Sequence, residues 1–327
     1  MESGWQFLWA FLILLILSYI SHQLPNIMSA LLKKILLLLP PSFSRWVYTD
    51  LCRPKLLRLL ADKILLSIIP ESIRIEEGII ILDQTDVAVS GQLALDAYEK
   101  FETALFRKHV RSGMSIIDIG ANIGYYTVIG ARRVGKNGKI FCFEPEPSNY
   151  VRLNENITLN DLQNVVALKL ALSDRAGISK LFLTKNNKGT HSLADQRQTR
   201  NFITVETAIL DQVLAGYGSP KVDLIKMDIE GAEGLALKGM SKTIISNPDL
   251  TIFMEFYPKG LIRLGTQPIE FLNDLSGFGF VISVIDVDKR KLIPLPATDF
   301  ESFLASFTVK GEPTKNLYAT KIDRDHL

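Results

Sequence analysis

The residues best suited to chemistry follow an apolar, strand-like run at residues 116–127. This segment reads IIDIGANIGYYT, so the run ends in Asp118 and turns through Gly120, Asn122 and Gly124 into a helical pattern. Glycines at such a turn let the backbone approach a ligand closely and present amide groups at a helix start. A carboxylate there would repel a phosphate but attract an ammonium or sulfonium cation. The GxGxxG dinucleotide pattern is not met, because the third glycine is missing and an acid precedes the turn.

A second acid, Glu144, ends the next strand-like run, 26 residues after Asp118. In parallel α/β sheets an acid near this position binds the ribose hydroxyls of a nucleotide. A nucleoside and a cation in one ligand point to S-adenosylmethionine, which we predict as the cofactor. A tight turn or a helix-capping acid would explain either feature alone.

A third group of acids lies in the segment LIKMDIEGAE, residues 224–233. Lys226, Asp228 and Glu230 alternate, so in an extended chain their side chains point to one face. We expect Asp228 to orient a substrate or to accept a hydroxyl proton, a role typically worth about 10² to 10⁴ in rate. Glu230 and Glu233 could instead stabilise the N-terminus of the next helix.

Two further residues are candidates for a base on the substrate side. His191 lies in a short polar loop, where a solvated histidine without a catalytic role is the alternative reading. Glu255 ends a later strand-like run at residues 250–256. We predict a catalytic role for His191, together with Asp228 and Glu230.

Alternating apolar runs and helical patterns must position these residues. Strands are predicted at 115–119, 139–144, 165–172, 222–228, 250–256, 280–285 and 317–321, and helices at 93–111, 125–134, 148–159, 232–238 and 268–276. Such alternation predicts an α/β fold with a mostly parallel sheet and helices on both faces. Ligands of these sheets bind outside the carboxyl ends of the strands.

Four segments together resemble the FkbM family of S-adenosylmethionine-dependent methyltransferases. They are IIDIGANIGYYT, FEPEPSNYVRLNENI, ALSDRAG and LIKMDIEGAE, and the resemblance covers about residues 98–257. It implies a class I methyltransferase (Rossmann-like) fold with a seven-stranded sheet, and methyl transfer that is usually to oxygen.

The resemblance also implies roles for individual residues. Glu144 would hold the ribose, and Asp228 would lie beside the transferred methyl group. The methionine part of the cofactor would contact the loop of Asp118, Gly120, Ala121, Asn122 and Gly124. The adenine would lie near Leu172, Ser173 and Asp174.

The first 70 residues differ from the rest of the 327-residue chain. They contain seven basic and three acidic residues, whereas the whole chain has a net charge of +2. Residues 5–20 are uncharged and long enough for a short transmembrane helix. All seven basic residues follow this run, which predicts a single-pass anchor with the remainder in the cytoplasm. A cleaved signal peptide and an interfacial or buried helix are the alternatives. We therefore predict a membrane segment at 1–70 and a methyltransferase domain at 71–327.

Composition restricts the possible partners. A net charge of +2 and the lack of a basic, aromatic-rich stretch argue against a nucleic-acid substrate. No Cys/His cluster has the spacing of a zinc or transition-metal site, so we predict no metal ligands. Cys142, inside an apolar run, is expected to be a buried free thiol.

The leading functional hypothesis is O-methylation of a hydroxyl on a sugar, a glycolipid or another membrane-associated acceptor. A nucleotide-dependent sugar oxidoreductase on a related sheet is one alternative, against which the missing GxGxxG pattern argues. A non-catalytic, membrane-associated binding module is the other.

Overall fold

The computed structural model describes residues 66–67, 69–184, 188–195, 201–310 and 314–321. The predicted membrane anchor at 5–20 lies outside these residues, and the boundary at residue 70 stays a prediction. No helix within the described ranges is long and apolar enough to cross a membrane. The chain divides into two compact units, Met1–Ile73 with Ile81–Lys100, and Arg74–Ile80 with Phe101–Leu327. All the predicted site residues belong to the second unit.

The helices and strands follow the predicted alternation closely. In chain order they are β1 (Ser72–Ile75), β2 (Gly78–Ile81), α1 (Val89–Ala94), α2 (Lys100–His109), β3 (Ser115–Ile119), α3 (Tyr125–Val134), β4 (Lys139–Phe143), α4 (Pro147–Leu159), β5 (Val165–Leu168), β6 (Ala171–Leu172), β7 (Gly177–Phe182), β8 (Phe202–Ala208), α5 (Leu210–Ala215), β9 (Leu224–Met227), α6 (Glu233–Gly239), α7 (Ser241–Ser246), β10 (Thr251–Phe256), α8 (Pro258–Arg263), α9 (Pro268–Gly277), β11 (Val281–Asp286), β12 (Lys291–Pro294), α10 (Phe300–Lys310) and β13 (Lys315–Thr320). Short 3₁₀ turns lie at Lys188–Thr190 and Ala297–Asp299.

The main sheet has the strand order β12-β11-β13-β10-β9-β3-β4-β5. The five strands from β10 to β5 are parallel, and β13 enters antiparallel between β10 and β11. The predicted mostly parallel sheet is therefore confirmed. It has eight strands rather than seven, because the chain after β11 turns back at Asp286, whose side chain accepts the Lys289 N–H at 2.8 Å. The strand β12 then pairs with β11 at the sheet edge.

Two predicted elements are broken in the structure. The predicted strand at 165–172 divides where the Leu170 N–H donates to the carbonyl of Leu168, a turn too tight for a continuous strand. Its second part, β6, belongs to a separate sheet of order β6-β8-β7. The predicted helix at 93–111 divides into α1 and α2, because Asp96 and Glu99 take left-handed φ values of 50° and 38°.

The core lies between the central strands and their covering helices. Ile117, Phe141, Ile225 and Ile252 are at most 2% exposed. Strands buried on both faces read as continuous apolar runs, which explains why they could be located from sequence. Cys142 is a buried free thiol, as predicted, and burial raises its pKa, so the reactive thiolate is disfavoured.

Candidate active site

The loop after β3 is shaped by a glycine that no other residue can replace without moving the backbone. Gly120 has a φ of 80°, and a Cβ added there would lie 2.0 Å from the backbone oxygen of Asp228. Its N–H and that of Ala121 both donate to the Phe143 carbonyl at 3.0 Å. The loop is thereby fixed between the carboxyl ends of β4 and β9, at the edge where parallel sheets bind their ligands.

Asp118 lies beneath this loop and is 2% exposed. Its Oδ2 accepts the Thr127 hydroxyl at 2.6 Å, whereas Oδ1 has no hydrogen-bond partner among the described residues. Burial raises the pKa of Asp118, and the charge of Lys226 and the Thr127 hydrogen bond oppose that rise. A cavity lies next to this loop, and Asp118 is not among the residues that line it. Its predicted contact with the methionine cation would therefore need a shift of the loop or a bridging water.

Glu144 is placed by two backbone amides. Its Oε2 accepts the Asn122 N–H at 2.8 Å, and its Oε1 accepts the Glu146 N–H at 2.9 Å. The Asn149 side-chain amide also acts as a donor to this carboxylate, which keeps capacity to accept a further hydrogen bond. Burial raises the pKa of Glu144 to about 7, although both N–H donors favour the carboxylate.

An open cavity lies against these residues, at the carboxyl ends of the parallel strands. Its floor comes from the ends of the parallel strands, and its other wall from the segment between β7 and β8. That segment is held in place by the Asn122 side-chain amide, which donates to the Lys188 carbonyl at 3.2 Å, and by the Ser192 hydroxyl, which donates to the Glu230 carbonyl at 2.8 Å. Six predicted site residues line the cavity: Gly120, Asn122, Glu144, Leu172, His191 and Asp228.

Asp228 follows β9 and faces the cavity. Its Oδ2 lies 3.0 Å from the Lys226 Nζ, and the two side chains are 26% and 10% exposed. The Lys226 ammonium also lies 5.0 Å from the centre of the Tyr126 ring, which favours a cation there. The ion pair places Lys226 and Asp228 on one face, as predicted, and it orients the Asp228 carboxylate. The predicted extended chain does not reach Glu230, because β9 ends at Met227, and Glu230 does not line the cavity.

Three more acids surround Asp228. Glu230 lies in the turn after it with a left-handed φ of 55°. Glu233 is fully buried at the start of α6, where its Oε1 accepts the Ile229 N–H at 3.1 Å and burial raises its pKa to about 7. Glu255, near the end of β10, has its pKa raised well above the usual value, first by burial and then by the charges of Asp228, Glu230 and Glu233. Glu233 thus braces the turn rather than contacting the cavity.

Comparison with known proteins identifies the family. The model of the methyltransferase FkbM domain matches residues 118–282, about half of the chain. The chain belongs to the FkbM methyltransferase family. The predicted resemblance is confirmed, and the family assignment displaces the oxidoreductase alternative. The cofactor of this family is S-adenosylmethionine.

Three curated relatives carry printed functions. Methyltransferase sdnD of Sordaria araneosa is 32% identical over 39% of this chain and 60% of its own length. Hexuronic acid methyltransferase AglP of Haloferax volcanii is 32% identical over 39% of this chain and 51% of its own length. The 2-O-methyltransferase NoeI of Sinorhizobium fredii is 31% identical over 49% of this chain and 70% of its own length. The chain thus spans between half and 70% of the length of these relatives.

The cavity of this FkbM chain fits S-adenosylmethionine on two observations. The Glu144 carboxylate keeps capacity to accept a further hydrogen bond, which a ribose hydroxyl could donate. Asn149, at the cavity wall, has a buried Oδ1 without a hydrogen-bond partner among the described residues. That oxygen is an acceptor which a hydroxyl or amino group of the cofactor would satisfy.

We expect the affinity for this cofactor to depend on pH through Glu144. Ribose hydroxyls donate to the carboxylate, so binding requires the loss of a proton from a group with a pKa of about 7. The affinity should fall as pH drops through that value, to about tenfold weaker at pH 6 than at pH 8. Isothermal titration calorimetry of wild type and Glu144→Gln measures this. The amino group of the cofactor also titrates, but it does so with both proteins. If the affinity changes with pH equally in wild type and in Glu144→Gln, a contact between the cofactor and Glu144 is refuted.

The residues expected near the adenine divide in the structure. Leu172 is buried and lines the cavity. Ser173 and Asp174 do not line the cavity. The Ser173 hydroxyl donates to the Asp174 carboxylate at 3.1 Å, and the Ser173 N–H donates to Ala208. Ala121 and Gly124 likewise stay outside the cavity wall. These four residues shape neighbouring turns, and their contact with the cofactor stays a prediction.

His191 lines the cavity, but its ring is oriented for a role other than that of a base. The Thr184 N–H donates to its Nδ1 at 3.1 Å, so the neutral ring carries its proton on Nε2. A histidine in this tautomer can take up a proton only at Nδ1, where it would lose the Thr184 bond. We expect the Nε2–H to donate a hydrogen bond, which makes His191 a weaker candidate for the base than Asp228.

Sequence reasoning missed two polar side chains that line the cavity, those of Asn149 and Lys188. Asn149 stands in the first turn of α4, where Glu146 caps the helix by accepting the Asn149 N–H at 2.6 Å. The capping pattern at Glu146 could have indicated that Asn149 points back toward the cavity. Lys188 lies in a loop whose position depends on the contacts of Asn122, and no local pattern predicts it.

Proposed function

We propose that this chain transfers the methyl group of S-adenosylmethionine to a hydroxyl of a sugar, a glycolipid or another membrane-associated acceptor. The observation that carries this proposal is the Asp228 carboxylate, which faces the cofactor cavity and is fixed by Lys226 at 3.0 Å. The cofactor supplies an electrophilic methyl group when it is bound. A hydroxyl that attacks this group must lose its proton, and a positioned carboxylate can accept it.

The remaining work of the site is alignment. Methyl transfer requires the acceptor oxygen to lie in line behind the sulfur–carbon bond. Correct orientation alone can lower the activation barrier by about 7 to 11 kcal/mol. The loop of Gly120 and the carboxylate of Glu144 would fix the cofactor, and Asp228 would fix the acceptor hydroxyl. Residues 188–193 form one wall of the cavity and would limit the access of water from that side.

The acceptor class is supported by two relatives. The names of AglP and NoeI refer to a hexuronic acid and to 2-O-methylation, and both point to hydroxyls of carbohydrates. A methyl-transfer assay with labelled cofactor on membrane and glycan extracts, followed by mass spectrometry of the labelled product, tests the proposal. Label on a carbohydrate oxygen supports it, whereas label only on nitrogen, or no binding of the cofactor by calorimetry, would contradict it.

We also propose that residues 5–20 anchor the enzyme in a membrane with the catalytic unit in the cytoplasm. The support is the uncharged apolar run followed by seven basic residues. We expect the full-length protein to stay in the pellet after carbonate extraction and high-speed centrifugation. A matched variant with Leu14→Arg and Leu15→Arg should move to the supernatant, and release of the wild-type protein would refute the anchor.

A further inference from the structure

The acids around Asp228 form a cluster that the transfer of a methyl group does not require. One carboxylate oxygen from each of Asp228, Glu230 and Glu255 lies within 4.8 Å of the other two. Asp228 and Glu230 follow β9, and Glu255 lies near the end of β10, its parallel neighbour. The fold therefore brings three carboxylates together at the carboxyl edge of the sheet.

Two buried oxygens next to this cluster have no donor among the described residues. One is the Oε2 of Glu255, and the other is the Oε2 of Glu233, whose residue is 0% exposed. The other Glu233 oxygen accepts the N–H of Ile229, so its carboxylate lies against the turn that joins Asp228 to Glu230. Glu233 is also close enough to repel the charges of both Asp228 and Glu255. Buried carboxylate oxygens without a partner are rare because they cost free energy.

Lys226 forms an ion pair with one acid of the cluster, Asp228. Lys226 contacts Asp228 at 3.0 Å and acts on Glu255 less strongly than the three neighbouring carboxylates do. A cation that contacts several of these carboxylates at once would stabilise their charged forms together.

We propose that Asp228, Glu230 and Glu255 bind a divalent cation of the oxygen-preferring class, such as Mg²⁺, Mn²⁺ or Ca²⁺. Bonds of about 2.1 to 2.5 Å to one ion place two oxygens about 3 to 5 Å apart, and the observed limit of 4.8 Å agrees with this. An all-carboxylate set suits these ions, whereas zinc and copper sites usually contain histidine or cysteine. The unpartnered Oε2 of Glu233 offers an acceptor for a water bound to the ion.

The cation site stands independently of methyl transfer, but Asp228 connects the two. Asp228 faces the cavity, so an ion on its carboxylate would have coordination positions open toward an acceptor. An acceptor with two neighbouring oxygens, such as a sugar diol or a sugar acid, would fit such positions. This last step rests on the proposed function.

Binding of Mn²⁺ to the full chain in detergent, after removal of metals with EDTA, tests the site. Loss of the free Mn²⁺ signal in electron paramagnetic resonance should show one ion per chain. Glu255→Gln should weaken binding at least tenfold, and Asp274→Asn, a change of an exposed acid on α9, should leave it unchanged. Equal binding by wild type and Glu255→Gln, or no binding by wild type, would overturn the proposal.

Thermal unfolding provides a readout that does not depend on activity. In the metal-free protein Glu255→Gln should keep a single cooperative unfolding transition. It should also abolish the increase in Tm that Mn²⁺ produces in wild type, measured against KCl of equal ionic strength. A variant that lowers Tm and still responds to Mn²⁺ would assign Glu255 a structural role and refute the site. Mn²⁺ binding without any methyl transfer would leave the site standing and count against the proposed function alone.

Discussion

Replacement of Asp228 by Asn should lower the turnover of methyl transfer by about 10² to 10⁴. An amide keeps the size of the side chain and can still accept the Lys226 hydrogen bond, now 3.0 Å long. It cannot take up the proton of the acceptor hydroxyl. Because we expect the cofactor to contact Gly120 and Glu144, the affinity for S-adenosylmethionine should change by less than about twofold. Steady-state kinetics at saturating cofactor, together with calorimetry, measures both quantities.

The matched control for this variant is Asp274→Asn, which removes one carboxylate from the exposed face of α9. Its turnover should equal that of wild type. An equal loss of turnover and cofactor affinity in Asp228→Asn would show that Asp228 positions the cofactor rather than the acceptor. Unchanged turnover would remove Asp228 from the reaction.

Replacement of Gly120 by Ala should destabilise the protein by about 3 kcal/mol or more. The new Cβ would lie 2.0 Å from the Asp228 backbone oxygen, so the backbone must move, and the φ of 80° adds strain of its own. The movement displaces the loop that joins the ends of β3, β4 and β9. We therefore expect weaker binding of S-adenosylmethionine as well, measured by calorimetry, with the free energy of unfolding measured by urea titration.

The variant Gly113→Ala separates the effect of the Cβ clash from the effect of the positive φ. Gly113 has a φ of 83°, but no atom lies within 4 Å of its added Cβ. This variant bears only the backbone strain, about 1 kcal/mol, and should bind the cofactor as wild type does. Equal destabilisation by the two changes would show that the close approach of Gly120 to Asp228 has no energetic consequence.

The sheet was predictable where its strands are buried on both faces. The strands β3, β4, β9 and β10 lie within one or two residues of the predicted ranges, because an unbroken apolar run leaves few alternatives. The errors lie at turns. The break between β5 and β6 and the left-handed residues at Asp96 and Glu99 depend on contacts and φ values that apolar periodicity does not encode.

The candidate site was predictable to the extent that its residues share a motif. Gly120, Asn122, Glu144 and Asp228 were located from three short segments, and all four line the cavity. Asp118 belongs to the same motif but lies beneath the loop, because its side chain bonds to Thr127 on α3. The motif predicted where the candidate site lies, and side-chain packing decided which of its residues face the cavity.

The sequence alone was sufficient to predict the family, most of the order of strands and helices, and the edge of the sheet at which the candidate site lies. These follow from short-range patterns, since glycine turns and apolar runs act over a few residues. Only the tertiary structure decided which acids meet. Glu255 is 27 residues from Asp228, yet their oxygens lie within 4.8 Å because β9 and β10 are parallel neighbours. The Cys/His spacing in the sequence predicts no metal ligands, and that prediction is untested. The proposed cation site could not be predicted in this way, because carboxylates from separate strands carry no spacing signal until the sheet aligns them.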